Sequence, residues 1–486
     1  MQYCTPEQAG IPSAQVLKFY QTLDNYKLST HSVILSRGDQ CFSEAYWKPF
    51  SKNFLHRMYS VTKSFVSIAI GFCEQDGLLS LDDPIIKFFP EAQQGYAHSS
   101  TIREMLQMTT TLDKSAGWFS SGTNDRVAHY FQKAPQKHAD TLFAYDSAGS
   151  FILGAVVERL TGKTFLKYLQ EKVLSDIGFS ENAYCLTCPG GHSWADSGLL
   201  CTTQDLWLFA RFVLNKGTWK GKQYLNREYI LKATSSITPN NPFGFCNGHT
   251  DQGYGYQFWC APNGCFAAKG MGNQLAFCDP VHDFILVINS DNQGNYLKYQ
   301  PIYEALYTHI LPYLGQPLQE DSQALKELRE YENSRELFCL YENTTSPLSR
   351  KIEGKHFNCD ENPMGIRWFE LNFKGTEGTF TFENSQGRKV MHFGLGHNVF
   401  HFFPQEGYSD LVGSVSVPGH RYNAAFSADW PSDNTLRIRV QIIDKYFGNL
   451  SILIAFRDAD HATIRMEKAA EAFLGEYSGL LNATAI

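Results

Sequence analysis

The chain has 486 residues, too many for one ordinary globular core, so two domains are expected. It is 43% apolar and 19% charged, which excludes an intrinsically disordered chain. A net charge of −7 supplies no global basic field for nucleic acid or anionic lipid, so neither is expected as a partner.

Met1 to Pro12 shows no charged stretch followed by an apolar one, so no secretory signal is read there. No window has the apolar length needed to span a bilayer. The twelve cysteines are scattered without a disulfide framework, as for reduced thiols. The expected location is the cytoplasm, and the glycosylation sequons at Asn343, Asn449 and Asn482 are then chance matches.

In chain order, residues 31–46 read as two strands joined at Arg37-Gly38-Asp39. Ser60 to Gly77 reads as a helix, with Phe65, Ile68, Ala69 and Phe72 at helical spacing and a capping glycine at its end. Further helices are expected at Thr101 to Met108, Ser147 to Gly162 and Thr203 to Leu214. Late strands are expected at Tyr254 to Cys260, Cys265 to Lys269, Leu275 to Cys278 and Phe284 to Asn289. Strands at both ends of a helical middle give an α+β pattern with one antiparallel sheet.

After Gly315 a charged helical stretch, Ser322 to Glu332, reads as a connector. Beyond it short strands dominate. Leu436, Ile438, Val440 and Ile442 alternate with Arg437, Arg439 and Gln441, a period of two. Others are expected at Phe369 to Phe373, Gly378 to Phe382, Val390 to Phe393, Val399 to Phe403 and Leu450 to Phe456, as in a small barrel or sandwich.

The chemistry centres on Ser60-Val61-Thr62-Lys63 at the start of the expected helix. A separation of three places Ser60 and Lys63 on one helical face. A serine hydroxyl is a weak nucleophile until a neighbouring base takes its proton, and a lysine can do so when apolar burial disfavours its charge. The helix amino terminus would stabilise developing negative charge. Alone, this spacing equally describes a capping serine and an exposed lysine. Two further features follow in order: Tyr145-Asp146-Ser147 just before a helix, and Ala268-Lys269-Gly270-Met271 on a late strand.

With these motifs the chain resembles the serine β-lactamase and penicillin-binding protein superfamily, especially its class C-like branch of esterases and peptidases. The likeness covers about residues 1–312 and includes Tyr59 to Ile85, Thr101 to Thr109 and Ser197 to Leu206. It implies a β-lactamase/transpeptidase-like catalytic domain with an antiparallel sheet and a helical subdomain, followed here by an all-β, barrel-like domain. It implies Ser60 as nucleophile, Lys63 and Tyr145 as its proton network, and Ser147 as a hydrogen-bonding partner of Lys63 or substrate. The backbone N–H groups of Ser60 and Met271, the latter after Gly270, would form the oxyanion hole. Either Lys63 or Tyr145 would remove the first proton.

Two positions depart from the family pattern. Ala268 takes the first position of the lysine-threonine-glycine motif, so the side chain that commonly meets a substrate carboxylate is missing. Strand alternation should turn Lys269 to the opposite face, where it reads as surface or supporting. Ser147 replaces the asparagine of strict penicillin-binding enzymes. Both changes favour an ester or small amide over a β-lactam.

Rival patterns are weaker. Gly191-His192-Ser193-Trp194-Ala195 lacks the final glycine of a nucleophile elbow and reads as a loop bordering the site, with Trp194 a candidate cleft residue. Cys185 and Cys188 with His192 have metal-like spacing but no second pair. Glu74, Asp76, Asp82 and Asp83 read as caps and solvated charges.

The expectation is therefore a metal- and cofactor-independent serine hydrolase: residues 1–315 catalytic, 316–334 connector, 335–486 barrel-like. Its partner would be a small ester, amide or short peptide, and a homo-oligomer is compatible. D-amino-acid peptidase or β-lactamase activity, or a silent ligand-binding sensor on the same fold, are the alternatives. The carboxy-terminal domain reads as a packing or dimerisation module, with a lid as the sharper reading.

Overall fold

The computed structural model describes residues 1–94, 99–113, 125–240, 252–297, 299–408, 417–471 and 473–486. The chain divides into two compact units, Met1–Asn292 with Leu297–Glu336, and Leu337–Ile486 with Gln293–Tyr296.

In chain order the first unit contains β1 (Gln2–Tyr3), α1 (Ser13–Asn25), β2 (Thr30–Arg37), β3 (Gln40–Tyr46) and β4 (His56–Arg57). A 3₁₀ turn, Tyr59–Val61, leads into α2 (Thr62–Gln75), and α3 (Ser147–Thr161), β5 (Tyr184–Cys185), β6 (Leu199–Cys201) and α4 (Thr203–Leu214) follow. Then come β7 (Trp259–Cys260), β8 (Phe266–Gly270), β9 (Gln274–Asp279), β10 (Phe284–Ser290), α5 (Gln300–Ala305) and α6 (Ser322–Asn333).

Seven of these strands form one sheet in the order β1-β3-β2-β10-β9-β8-β7. Pairing is antiparallel except where β1 lies parallel to β3. Both ends of the unit's sequence thus meet in one sheet. β9 and β10 are buried along their whole length, which is why they read as continuous apolar runs rather than alternating ones. On one face Val16, Phe19, Tyr20 and Leu23 of α1 pack with Ala267, Leu275, Phe277 and Leu286 of the sheet. Those α1 residues fall at helical spacing, although the helix was not anticipated. On the other face α4 packs against β2, β9 and β10.

Every residue of α2 from Thr62 to Cys73 is buried, so this helix is a central pillar rather than an amphipathic surface helix. Phe65 stacks on Phe209 of α4 with centroids 3.6 Å apart. The helix ends where Leu78 N–H bonds the Cys73 carbonyl, with Gly77 at φ +72. The stretch expected as a connector supplies α6, which belongs to the first unit: Leu328 is buried in its core and Arg329 donates to the Phe42 carbonyl.

The second unit is a barrel. Its strands are β11 (His356–Cys359), β12 (Trp368–Lys374), β13 (Glu377–Asn384), β14 (Gly387–Leu395) and β15 (Val399–Phe402). They continue with β16 (Asn423–Ser432), β17 (Thr435–Ile443), β18 (Phe447–Phe456), β19 (His461–Ala470) and β20 (Gly479–Ala485). The order is β14-β13-β12-β11-β20-β19-β18-β17-β16-β15, and parallel pairing of Gly394 and Leu395 with Ser427 and Ala428 closes the ring from β14 to β16. Closure removes most of the open strand edge. Leu436, Ile438, Val440 and Ile442 face the core as their alternation requires, while Gln441 is also buried and donates to the Phe338 carbonyl.

Candidate active site

Ser60 lies in the 3₁₀ turn that precedes α2, a sharper entry than the continuous helix expected from the sequence. The turn is held from several sides. β4 pairs with β6, and Met58 N–H donates to the Leu199 carbonyl at 2.8 Å. The Thr62 hydroxyl donates to the Tyr59 carbonyl at 2.6 Å and accepts from Leu199 N–H at 3.2 Å. Tyr59 takes φ +48, a left-handed conformation costly for a bulky residue and sustained only where surroundings over-determine it.

One such constraint is Arg57. Its guanidinium lies 4.2 Å from the ring centroids of both Tyr59 and Trp194. It also donates to the Ser197 carbonyl and hydroxyl. Trp194 is therefore a packing residue, 1% exposed, and not a wall of an open cleft. The preceding His56 donates from Nδ1 to the Arg57 carbonyl at 3.0 Å and accepts at Nε2 from His31 at 2.8 Å. Burial lowers the His56 pKa to about 3, so this imidazole is neutral.

Lys63, one residue into α2, is 1% exposed. Its amine donates to Ser60 Oγ at 3.0 Å and to the Asp196 carbonyl at 2.7 Å. The helical spacing thus brings hydroxyl and amine together. Tyr145, just before α3, places its ring centroid 5.1 Å from Lys63 Nζ. That ring stacks on Trp259 at 5.7 Å, and its phenol makes no hydrogen bond to Ser60 or Lys63 in this structure. Ser147 opens α3, and neither hydrogen bond of the Lys63 amine goes to it.

The third part is the hairpin from β8 to β9, in which Gly270 pairs with Gln274 across Met271, Gly272 and Asn273. A Cβ on Gly270 would lie 2.3 Å from the Met58 carbonyl oxygen. Glycine is required here because β8 runs against the turn that carries Ser60. Met271 follows immediately, and its N–H has no acceptor among the described residues. Ala268 is buried on the same face of β8 as Gly270.

Lys269 points the other way, as alternation requires, but it is not a surface residue. It is 8% exposed, with its amine 5.1 to 5.4 Å from the rings of Trp259, Tyr299 and Tyr303. Cation–π contact compensates part of the cost of burying that charge.

Several supporting residues were not anticipated. Gln257, at φ +62, breaks the strand expected from Tyr254 to Cys260 and ties the site's helices together. Its carbonyl accepts from Ser64 of α2, its Oε1 from Ser150 of α3, and its Nε2 donates to the Met105 and Leu106 carbonyls. A lone amide amid aromatic residues was the available signal. Asp196 acts through its main chain, and nothing in sequence distinguishes such a role.

The rival patterns resolve into structural contacts. Ser193 and His192 both bond Glu158, at 2.5 and 2.8 Å. Cys188 accepts from Arg126, and burial pushes up the thiol pKa values of Cys185 and Cys188. No disulfide joins any two of the eleven described cysteines; Cys246 lies outside the described residues. Among the described residues no group of three His, Cys, Asp or Glu could hold a metal, and no helix is long and apolar enough to cross a membrane. Asp76 pairs with Lys172, Asp82 with Arg103 and Asp83 with Lys87.

Comparison with known proteins adds a consistent set of likenesses. A family model described as Beta-lactamase matches residues 18–308. The 6-aminohexanoate-dimer hydrolase of Paenarthrobacter ureafaciens is 23% identical over 280 residues, covering 53% of this chain and 71% of the relative. A penicillin-binding protein homologue from Caulobacter crescentus superposes with a TM-score of 0.52 at 15% identity, over 64% of this chain and 99% of that one. EstCE1, a hydrolase with promiscuous acyltransferase activity, superposes with a TM-score of 0.51 at 15% identity, over 60% and 98%.

Proposed function

Since this chain belongs to the β-lactamase family, we propose that it is a serine hydrolase of that fold, cleaving a small ester or amide through an acyl-enzyme on Ser60. The observation that carries this reading is the 3.0 Å contact between a buried amine and the Ser60 hydroxyl at the mouth of a helix.

Ser60 Oγ attacks the substrate carbonyl carbon while its proton passes to the unprotonated member of the pair, Lys63 as neutral amine or Tyr145 as phenolate. The N–H groups of Ser60 and Met271 take the negative charge that develops on the carbonyl oxygen. The pair returns the proton to the leaving alcohol or amine as the acyl-enzyme forms. Water then attacks the acyl carbon, gives its proton to the same pair, and Ser60 leaves as a hydroxyl. The phenol reaches its partners on substrate binding, since catalytic hydrogen bonds commonly tighten only in the complex.

Ala268 supports a neutral substrate. β8 offers no cation on the face that carries Ala268 and Gly270, because the amine of Lys269 is engaged with three rings on the other face. The relative named as a 6-aminohexanoate-dimer hydrolase supports the amide part of the proposal and not the neutral charge, since such a dimer carries a free carboxylate.

The test is a panel of short-chain p-nitrophenyl esters, amino-acid amides and a chromogenic cephalosporin, with a fluorophosphonate probe for labelling. Ester or amide turnover above cephalosporin turnover, with a probe adduct on Ser60, is expected. A folded protein that takes no adduct at Ser60 would instead be a ligand-binding sensor.

A further inference from the structure

The Met271 N–H is oriented by a residue far from the motifs. The carbonyl of Gly270 and the N–H of Met271 are the two ends of one planar trans peptide. Whatever fixes that oxygen fixes the direction of the N–H. In this structure the Tyr299 hydroxyl, just before α5, donates to the Gly270 carbonyl and lies 3.2 Å from the Gln274 carbonyl.

We propose that Tyr299 is a positioning residue of the oxyanion hole, acting through the Gly270–Met271 peptide. The inference rests on the acyl-enzyme reading above. Hydrogen bonding at the carbonyl also polarises the peptide, so its N–H becomes a stronger donor toward a developing oxyanion. The Tyr299 ring is itself fixed, 5.4 Å from the Lys269 amine and 6.5 Å from the Tyr303 ring. Burial raises its pKa, which keeps the hydroxyl a donor at neutral pH.

The next peptide is clamped independently. Gln274 Nε2 donates to the Met271 carbonyl at 2.9 Å and to the Ser290 carbonyl at 2.6 Å, and its Oε1 accepts from Ser290 N–H at 3.1 Å. Ser290 Oγ donates to the Gly272 carbonyl at 2.8 Å. With a Cβ excluded at Gly270, the backbone around Met271 has little freedom. Such preorganisation is what makes an oxyanion donor effective.

Tyr299→Phe deletes one hydroxyl and keeps the ring. The measurements are kcat and KM on p-nitrophenyl butyrate, the inhibition constant of phenylboronic acid, which mimics the tetrahedral intermediate, and Tm. The expected result is kcat lowered about ten-fold, boronate affinity weakened by a similar factor, and KM within about two-fold. A merely structural hydroxyl would lower Tm and leave kcat and boronate affinity of the folded enzyme unchanged. That result overturns the proposal, as does a rise in KM alone. If Tyr299→Phe does not fold, 4-fluorophenylalanine at position 299, which fills the hydroxyl's space without donating, is read the same way, and an unchanged kcat there overturns it. Ser60→Ala turnover equal to wild type removes the acyl-enzyme reading and this inference with it. An inactive Ser60→Ala beside an unaltered Tyr299→Phe removes only this inference.

Discussion

The two units of the chain use backbone regularity in opposite ways. In the barrel, strands alternate, inward residues are apolar, and Leu474 is the one non-glycine residue with positive φ among those described. In the first unit, Tyr59, Gln257 and Asn273 all adopt positive φ around one hydroxyl, and buried polar side chains such as Arg57, Lys63, Gln257 and Gln274 knit the same region together. Three of the ten described non-glycine residues with positive φ in the first unit, with these buried polar side chains, lie where chemistry is proposed, and ordinary packing supplies the stability to hold them. The lesson is a division of labour: changes near Ser60 should alter rate more than stability, and changes in the barrel core the reverse.

The largest test of that contrast is Ser60→Ala. Turnover should fall at least about 10⁴-fold with Tm almost unchanged, because a half-buried hydroxyl is lost without a cavity. Lys63→Met should cost roughly 10³-fold in kcat, measured with the same ester. It should also cost about 1–2 kcal/mol of stability by urea titration, since the Asp196 carbonyl loses its donor. In the barrel, Ile452→Ala should destabilise by about 3 kcal/mol through transfer and cavity terms. The kcat of folded protein should be unaffected; a ten-fold change there would break the contrast.

A smaller effect is pH-dependent. The folded His56 pKa, lowered to about 3 by burial, lies below the ordinary value of 6.5, so the unfolded chain binds the extra proton. Stability from this group is present above pH 6.5 and is lost as pH falls toward 3. Between pH 6.5 and 4 the loss should be on the order of 2–3 kcal/mol in urea midpoints, and His56→Gln should flatten that slope. The smallest expected change is at Ala268. Ala268→Lys should improve kcat/KM for a carboxylate-bearing amide only a few-fold over its neutral analogue, because one cation restores charge without the rest of the motif.

Part of the candidate site was legible because its spacing is local. Ser60 and Lys63 meet because three residues on a helix share a face, and Lys269 faces away from Ala268 because strands alternate. What could not be read were contacts between elements distant in sequence. Trp194 has the look of a cleft residue until Arg57 is found between it and Tyr59. Lys269 has the look of a surface charge until three rings from β7 and α5 surround it.

By itself the amino-acid sequence determined the helix that follows Ser60, the amine three residues beyond that serine, and an antiparallel sheet built from both ends of the first unit. Periodicity and turn residues act over a few positions, so they suffice for such features. Only the tertiary structure decided that Tyr59 is held in a left-handed turn, that Gly270 is glycine because of the Met58 carbonyl, and that Tyr299 fixes the peptide next to it. Each of these depends on where a backbone oxygen lies, and backbone oxygens are the same at every position of a sequence.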